Sequence, residues 1–322
     1  MRSPQATFAE SGFEAHYKPT RRERFLNEMD RVVPWKELGA LIEPFYPKNE
    51  GAGRPVVGLE RMLRIDFLQQ WFNLSDPAVE EALYDSRALR AFAGIDLGRE
   101  GAPDETTVCK FRHVLERAGL GKQILTQVNA HLSAQGQTVS RGTIVDATII
   151  QAPSSTKNQT RTRDPEMRQT KKGHQWYFGM KAHIGVDSKT QLIHSVVATA
   201  AHVHDSRVLP DLLHGAETRV WGDSAYTGQT EVIRGKAPHA QDFTHERARR
   251  NHPLTETQQA KNTTKSRVRA RGEHPFLVIK RIFGFTKTRY RGLYKNAHRL
   301  FVACALANLF RVRRRLLRLQ GA

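Results

Sequence analysis

Thr143-Ile-Val-Asp-Ala-Thr-Ile-Ile150 is the run on which the fold turns. It is β-branched and apolar throughout and lies between Gly142 and Pro153, so it is predicted to be a strand. Asp146 interrupts it. A carboxylate in the middle of a buried run is costly unless it is paired or metal-bound. The residues leave two readings open. Asp146 is a functional group in a central strand, or it sits on the exposed face of an amphipathic edge strand. Ile144 and Thr148 share its face, while Val145 and Ala147 point the other way.

Toward the C-terminus, residues 154–174 are polar and carry Lys157, Arg161, Arg163, Arg168, Lys171 and Lys172. They read as a flexible basic loop, either DNA-contacting or simply solvated. Two further strands are predicted, Tyr177 to Val186 and Leu192 to Thr199, with Asp187-Ser-Lys189 as the hairpin turn between them. His204-Asp205-Ser206 opens a helical stretch through Leu213, with Asp205 or Ser206 as its N-cap. Val220 and Trp221 form a short strand, and Gly222-Asp223-Ser224 marks its carboxyl end. Carboxyl ends of strands are where α/β folds place chemistry, although Asp beside Gly is by itself only a turn signal.

Toward the N-terminus the period is helical. Leu59, Met62, Leu63, Phe67 and Trp71 recur at three- and four-residue spacing. Ser75-Asp76, Ser86 and Asp104-Glu105-Thr106-Thr107 read as starts of further helices. The chain therefore divides into a mixed arm and linker over 1–55, a helical domain over 56–138 and an α/β domain over 139–322. The arm has short helical pieces interrupted by Pro34, Pro44 and Pro47, and Gly51-Ala-Gly-Arg-Pro55 is its linker. There is no internal repeat.

Charge is distributed unevenly. Of the net +19, the first 260 residues carry +3 and the last 62 carry +16, from 17 Lys and Arg against one acid, Glu273. Such asymmetry points to a polyanion, and to nucleic acid rather than a membrane surface. Leu300 to Phe310 is too short an apolar run to span a bilayer and contains Asn308. It is predicted to be a closing helix packed on the sheet, with the arginines of 311–318 on DNA. No secretory h-region is seen near the N-terminus. Cys109 and Cys304 lack zinc spacing and read as structural thiols of a reducing compartment.

Glu273 has Arg269 four residues before it and Lys280 seven after. On a uniform helix the three fall within about 40° of one another, a face suited to holding a divalent metal beside a phosphodiester. The plain alternative is a solvated basic helix with one Arg–Glu pair. Pro275 disfavours uniform helix geometry at His274, so the helix is kinked there, or begins at Pro275 with Glu273 at its N-terminal edge. Taken together, Asp146, Asp223 and Glu273 come from two strands and a later helix and can converge. Two-metal phosphoryl transfer needs such a cluster, because hard Mg²⁺ takes carboxylate oxygens.

The sequence resembles the DDE-type insertion-sequence transposases, and among them the insertion-sequence-five group. The resemblance runs through Pro103-Asp-Glu-Thr-Thr107 and Phe111-Arg112, Ile144-Val-Asp-Ala147, and Gly179-Met-Lys-Ala-His-Ile-Gly-Val-Asp187. It continues in His204-Asp-Ser206, Gly222-Asp-Ser-Ala-Tyr226 and Glu273-His-Pro-Phe276 through Lys280, then Phe283-Gly-Phe285 and Arg289-Tyr-Arg-Gly-Leu293. It implies an α/β fold with a ribonuclease-H-like mixed sheet flanked by helices, preceded by an all-helical N-terminal domain. It also implies Asp146, Asp223 and Glu273 as the metal-binding catalytic triad, with two Mg²⁺ ions that Mn²⁺ can replace. Arg269 and Lys280 are the accessory basic residues, and Arg267, Arg271, Arg281, Lys287, Arg289 and Arg291 join them as expected DNA contacts. The family's signature has Tyr three residues before the Arg, where this chain has Ser266. The expected partner is double-stranded DNA, both element ends and target, bound by a homodimer or higher oligomer. The expected place is the cytoplasm, at the nucleoid.

Overall fold

The computed structural model describes residues 18–48, 55–248 and 252–320. The N-terminal half is helical: α1 (Arg21–Val32), α2 (Trp35–Ile42), α3 (Leu59–Phe72), α4 (Asp76–Asp85), α5 (Arg87–Ala93), α6 (Glu105–Arg117) and α7 (Leu120–Ala134). The predicted caps at Ser75 and Asp104 accept the Ala78 and Thr107 amides at 3.3 and 2.7 Å. Ser86 stands at the start of α5 but makes no side-chain cap bond.

A sheet follows, made of β1 (Gly142–Gln151), β2 (Arg168–Lys172), β3 (Gln175–Asp187), β4 (Ile193–Ala200), β5 (Arg219–Trp221) and β6 (Gln241–Asp242), with α8 (Leu209–Leu212) between β4 and β5 and α9 (Thr230–Lys236) between β5 and β6. β1 lies antiparallel to β3 and parallel to β5; β3 pairs antiparallel with β4, and β5 pairs parallel with β6. The order β4-β3-β1-β5-β6 is the ribonuclease-H-like one, and β1 is central. The edge-strand reading of Asp146 is thereby excluded.

The sheet is covered on both faces. Ile144 and Ile184 join the large core that contains the N-terminal helices, while Val145 joins a smaller one with Leu209, Val220 and Tyr226. Alternation along β1 places successive residues in different cores. The long α12 (Leu293–Gln320) packs on β4 and α1 and most extensively on α7. The predicted closing helix is therefore wedged between the sheet and the helical half. Leu26 and Met29 of α1 and Leu38 and Ile42 of α2 are buried in the same core. The segment read as an arm is thus packed through α1 and α2, whose prolines stand at the helix ends, where a missing amide donor costs little. The linker residues 51–54 lie outside the described residues.

Three local readings differ from the structure. Arg168–Lys172, read as part of a loop, is a strand that pairs with β3 around Gly173 at φ +61°. Both its faces are polar, so no apolar alternation marks it as a strand. The helix after β4 is capped by His204, whose ring accepts the Ser206 amide at 3.3 Å; neither Asp205 nor Ser206 is the cap. The Glu273 segment is not one uniform helix, but its break precedes Glu273 instead of falling at His274 or Pro275. α10 (Glu256–Arg269) passes into a 3₁₀ turn, Ala270–Gly272, then α11 (Glu273–Leu277) and a π turn, Val278–Ile282.

Candidate active site

The site is fixed by the register of two strands. Ile144 of β1 pairs with Trp221 of β5 in parallel. Two residues further along each chain stand Asp146 and Asp223. No strand pairing joins them, but the Asp223 carboxylate is close enough to help raise the Asp146 pKa. β5 ends at Trp221, so it does not pair with β1 beside Asp146, which leaves a notch there. Asp223 turns there to cap the next 3₁₀ turn, accepting the Ala225 amide at 2.9 Å.

The third carboxylate arrives from α11. Gly272 makes the approach feasible: a Cβ added there would stand 2.8 Å from Ile144 Cγ2. The turn before Glu273 therefore rests on β1 two residues from Asp146. Arg269 lies between, 3.9 Å from Asp146 Oδ2 and 3.5 Å from Glu273 Oε1. The Asp146 side chain is 14 % exposed and that of Glu273 63 %.

Burial pushes the Asp146 carboxyl up to about 6. The Ala147 amide at 2.9 Å and Arg269 oppose the shift, while Asp223 and Glu273 add to it. Three carboxylates thus repel one another around a single guanidinium. Hard oxygen donors with uncompensated negative charge fit a divalent ion such as Mg²⁺. Among the described residues no three such side chains stand close enough to hold a metal as they are.

Lys280 does not join the carboxylates. It reaches the same edge of β1 further along, donating to Thr148 Oγ1 at 3.1 Å and Ile149 O at 3.0 Å. The three do not share one helical face: Arg269 and Lys280 meet β1 at separate places, and Glu273 stands beside Arg269 alone. Burial and Lys172 lower the Lys280 pKa. With Lys172 and Lys287, Lys280 lines a cavity of about 230 Å³ to which Thr148, Tyr177 and Thr286 also contribute. A second cavity of about 490 Å³, lined by His204, Ser206, Ser224, Thr227 and Arg247, adjoins Asp223.

Several neighbours were not legible in the sequence. Asp205 accepts from Lys181 Nζ at 2.9 Å and lies 3.8 Å from His183. Tyr226 is buried with its hydroxyl unbonded, and its pKa is raised by burial and by Asp205, Asp146 and Asp223. Ser266, standing where the signature has Tyr, meets the His245 ring at 3.3 Å. Burial, Arg269 and Lys265 lower the His245 pKa, and Asp223 opposes them. The sequence signals for these residues were Gly179-Met-Lys-Ala-His-Ile-Gly-Val-Asp187, His204-Asp-Ser206, Gly222-Asp-Ser-Ala-Tyr226 and the departure at Ser266.

The remaining basic residues divide. Arg267, Arg271, Arg281, Lys287 and Arg291 are exposed. Arg291 donates to the Thr160 and Thr162 hydroxyls, both at 3.1 Å, and so braces the 154–167 loop. Arg289 is half-buried and donates to Asn73 O and Oδ1 at 2.7 and 2.8 Å, a contact with the helical half.

Residues 137–309 match the family described as "Transposase DDE domain", and residues 14–114 match "Transposase domain (DUF772)". Among solved structures the chain is similar to that titled "Cryo-EM structure of piggyBac transposase synaptic complex with hairpin DNA". The identity is 9 % and the TM-score 0.49, over 95 % of this chain and 76 % of that one. Among the described residues no helix is long and apolar enough to cross a membrane.

Proposed function

The chain belongs to the Transposase DDE domain family, and we propose that it moves a bacterial insertion sequence by binding its terminal inverted repeats, cleaving a strand at each end and joining the freed ends to target DNA. What supports this reading is that Arg269 lies 3.9 Å from Asp146 and 3.5 Å from Glu273, while Asp223 and Glu273 both help raise the Asp146 pKa.

Asp146, Asp223 and Glu273 would hold two Mg²⁺ ions, or Mn²⁺ in their place. Such ions, when bound, stabilise the attacking and leaving oxygens of an in-line displacement. The chain's own residues supply the rest. Lys280, Lys172 and Lys287 seat a neighbouring phosphate. Arg269 holds Glu273 and Asp146 in the absence of other cations. Tyr226 and the Lys181–Asp205 pair support the floor of the notch. In cleavage a water oxygen bonds to phosphorus as the P–O3′ bond breaks, leaving a 3′-hydroxyl and a 5′-phosphate. In joining, that hydroxyl oxygen bonds to a target phosphorus as the target's own P–O3′ bond breaks. Neither step makes a covalent protein–DNA bond.

Arg267, Arg271, Arg281, Lys287 and Arg291 extend the phosphate contacts. Arg289, bonded to Asn73, is set aside. The helical half reads the element ends, because its short capped helices are the kind that enter a groove. The protein works as a homodimer or higher oligomer on DNA, at the nucleoid.

The test is an integration assay with element-end duplexes, supercoiled plasmid and Mg²⁺. Metal-dependent joining of the ends to the plasmid is expected. Plasmid cleavage without joining would mean a nuclease of the same fold, and binding with neither would mean a silent DNA-binding derivative.

A further inference from the structure

Arg271 stands two residues before Glu273 but turns away from the carboxylates. Its guanidinium donates to Ser188 O at 3.2 Å, in the turn between β3 and β4. Ser188 lines a cavity of about 600 Å³ at the amino ends of β1 and β5, the opposite end of the sheet from the Lys280 cavity. Three more cations line it: Arg141, Lys189 and Arg219. All three are exposed, and among the described residues no carboxylate pairs with them. The nearest acids along the chain are turned inward. Asp187 is fully buried and accepts from the Ser140, Lys189 and Thr190 amides. Glu217 is 1 % exposed and accepts from the His214 and Gly215 amides.

The floor is built for close approach. A Cβ added at Gly142 would clash with Ser188 and stand 3.0 Å from the Trp221 ring, so the concavity depends on glycine. Gly142 lies four strand positions from Asp146, a distance of ~13 Å, about four base pairs of duplex rise. Thr148 to Gln151, beside the lysine cavity, lie on the other side of Asp146 along the same strand. β1 is therefore a ruler with a basic cavity at each end and the carboxylates between.

We propose that the Arg141–Lys189–Arg219 cavity seats phosphates of a second DNA segment, distinct from the one held at Lys280. This rests on the reading of the protein as one that acts on DNA. Strand joining requires two segments at one reacting centre, and a single basic cavity serves one. Uncompensated cations over a hydroxyl-bearing concave floor suit a row of phosphate oxygens.

The experiment uses the full chain carrying Arg141→Ala, Lys189→Ala and Arg219→Ala together. Binding to a duplex of random sequence is followed by fluorescence anisotropy across a salt series, alongside cleavage of an element-end duplex and joining to plasmid. Each lost phosphate contact lowers the slope of log K against log salt by about 0.9, so a fall of about two to three is expected. Joining should fall at least about tenfold while end cleavage keeps its rate. An unchanged slope, with thermal unfolding like that of the parent, overturns the proposal. Should the triple variant unfold early, Lys189→Gln with Arg219→Gln answers in its place with a slope fall of about two. If the parent protein shows no salt-dependent duplex binding, the DNA reading falls. If the parent binds and the variant matches it, only this cavity's role falls.

Discussion

The arginines of the helical half and those around β1 carry the same charge in opposite circumstances. Arg112 is nearly buried, paired with Asp76 at 2.8 Å and Glu116 at 3.2 Å, and stacked 4.2 Å over the Tyr290 ring. Arg64 pairs with Asp30 and Glu60 over Trp35. Arg141, Arg219, Arg267 and Arg281 are exposed with no carboxylate beside them among the described residues. A count of charges does not separate these sets; pairing does. The first set holds helices together, and the second leaves a field for phosphate.

The comparison also redraws the charge map. The last 62 residues hold +16, yet Arg289, Arg299, Arg311 and Arg313 are committed inside the molecule. Arg299 and Arg289 both donate to Asn73, Arg311 bonds Gln191, and Arg313 pairs with Glu28 at 2.8 Å. The expectation that 311–318 lies on DNA therefore does not extend to Arg311 and Arg313. Conversely, Arg141, Lys172, Lys189 and Arg219 come from the part of the chain that is almost neutral overall.

The largest effect should come from breaking the paired set. Arg112→Ala strands Asp76 and Glu116 and should cost about 3–5 kcal/mol in urea unfolding, with the salt dependence of DNA binding unchanged. A change in that dependence would place Arg112 in the wrong set.

Asp66 tests the same network by pH. Burial raises its carboxyl to about 7, with Arg112 and Arg299 opposing and Asp76 and Glu116 assisting. The folded chain then holds a proton that the unfolded chain releases near 3.8, so stability falls as pH rises from about 4 to about 7. Asp66→Asn should remove that fall and be the more stable protein above about pH 7, by on the order of a few kcal/mol. Equal pH profiles for the two proteins would show that Asp66 ionises freely.

Lys280 sits on the boundary between the sets, bonded to β1 yet lining a basic cavity. Lys280→Ala should cost about 1 kcal/mol of stability and lower the salt slope by about one. Loss of stability with an unchanged slope would move it to the paired set.

The smallest structural effect is expected at Lys287 and Arg281. Alanine at either should leave stability within about 0.5 kcal/mol and lower the salt slope by about 0.9. A stability loss near that of Arg112→Ala would erase the distinction.

Much of this was legible because local pattern and chemistry agreed. β1 announced itself by β-branched residues and Asp146 by its cost there; Asp223 followed a short strand, and Glu273 stood alone in a basic tail. What remained hidden depends on contacts far apart in sequence. Nothing local marks Asp205 as the partner of Lys181, or Tyr226 as buried among three carboxylates. Arg168–Lys172 has no apolar face to betray a strand. The turn at Gly272 is set by Ile144, more than a hundred residues away, and no helical wheel drawn at a uniform pitch contains it.

The most direct measurement compares DNA binding with Mg²⁺-dependent cleavage in Asp146→Ala, Asp223→Ala and Glu273→Ala. Each variant should lose cleavage by on the order of a thousandfold or more. Each should bind element-end duplex as tightly as the parent or more tightly, because negative charge beside phosphate is removed. Substantial Mg²⁺-dependent cleavage retained by any one of the three would remove that residue from the triad and contradict the account of the site.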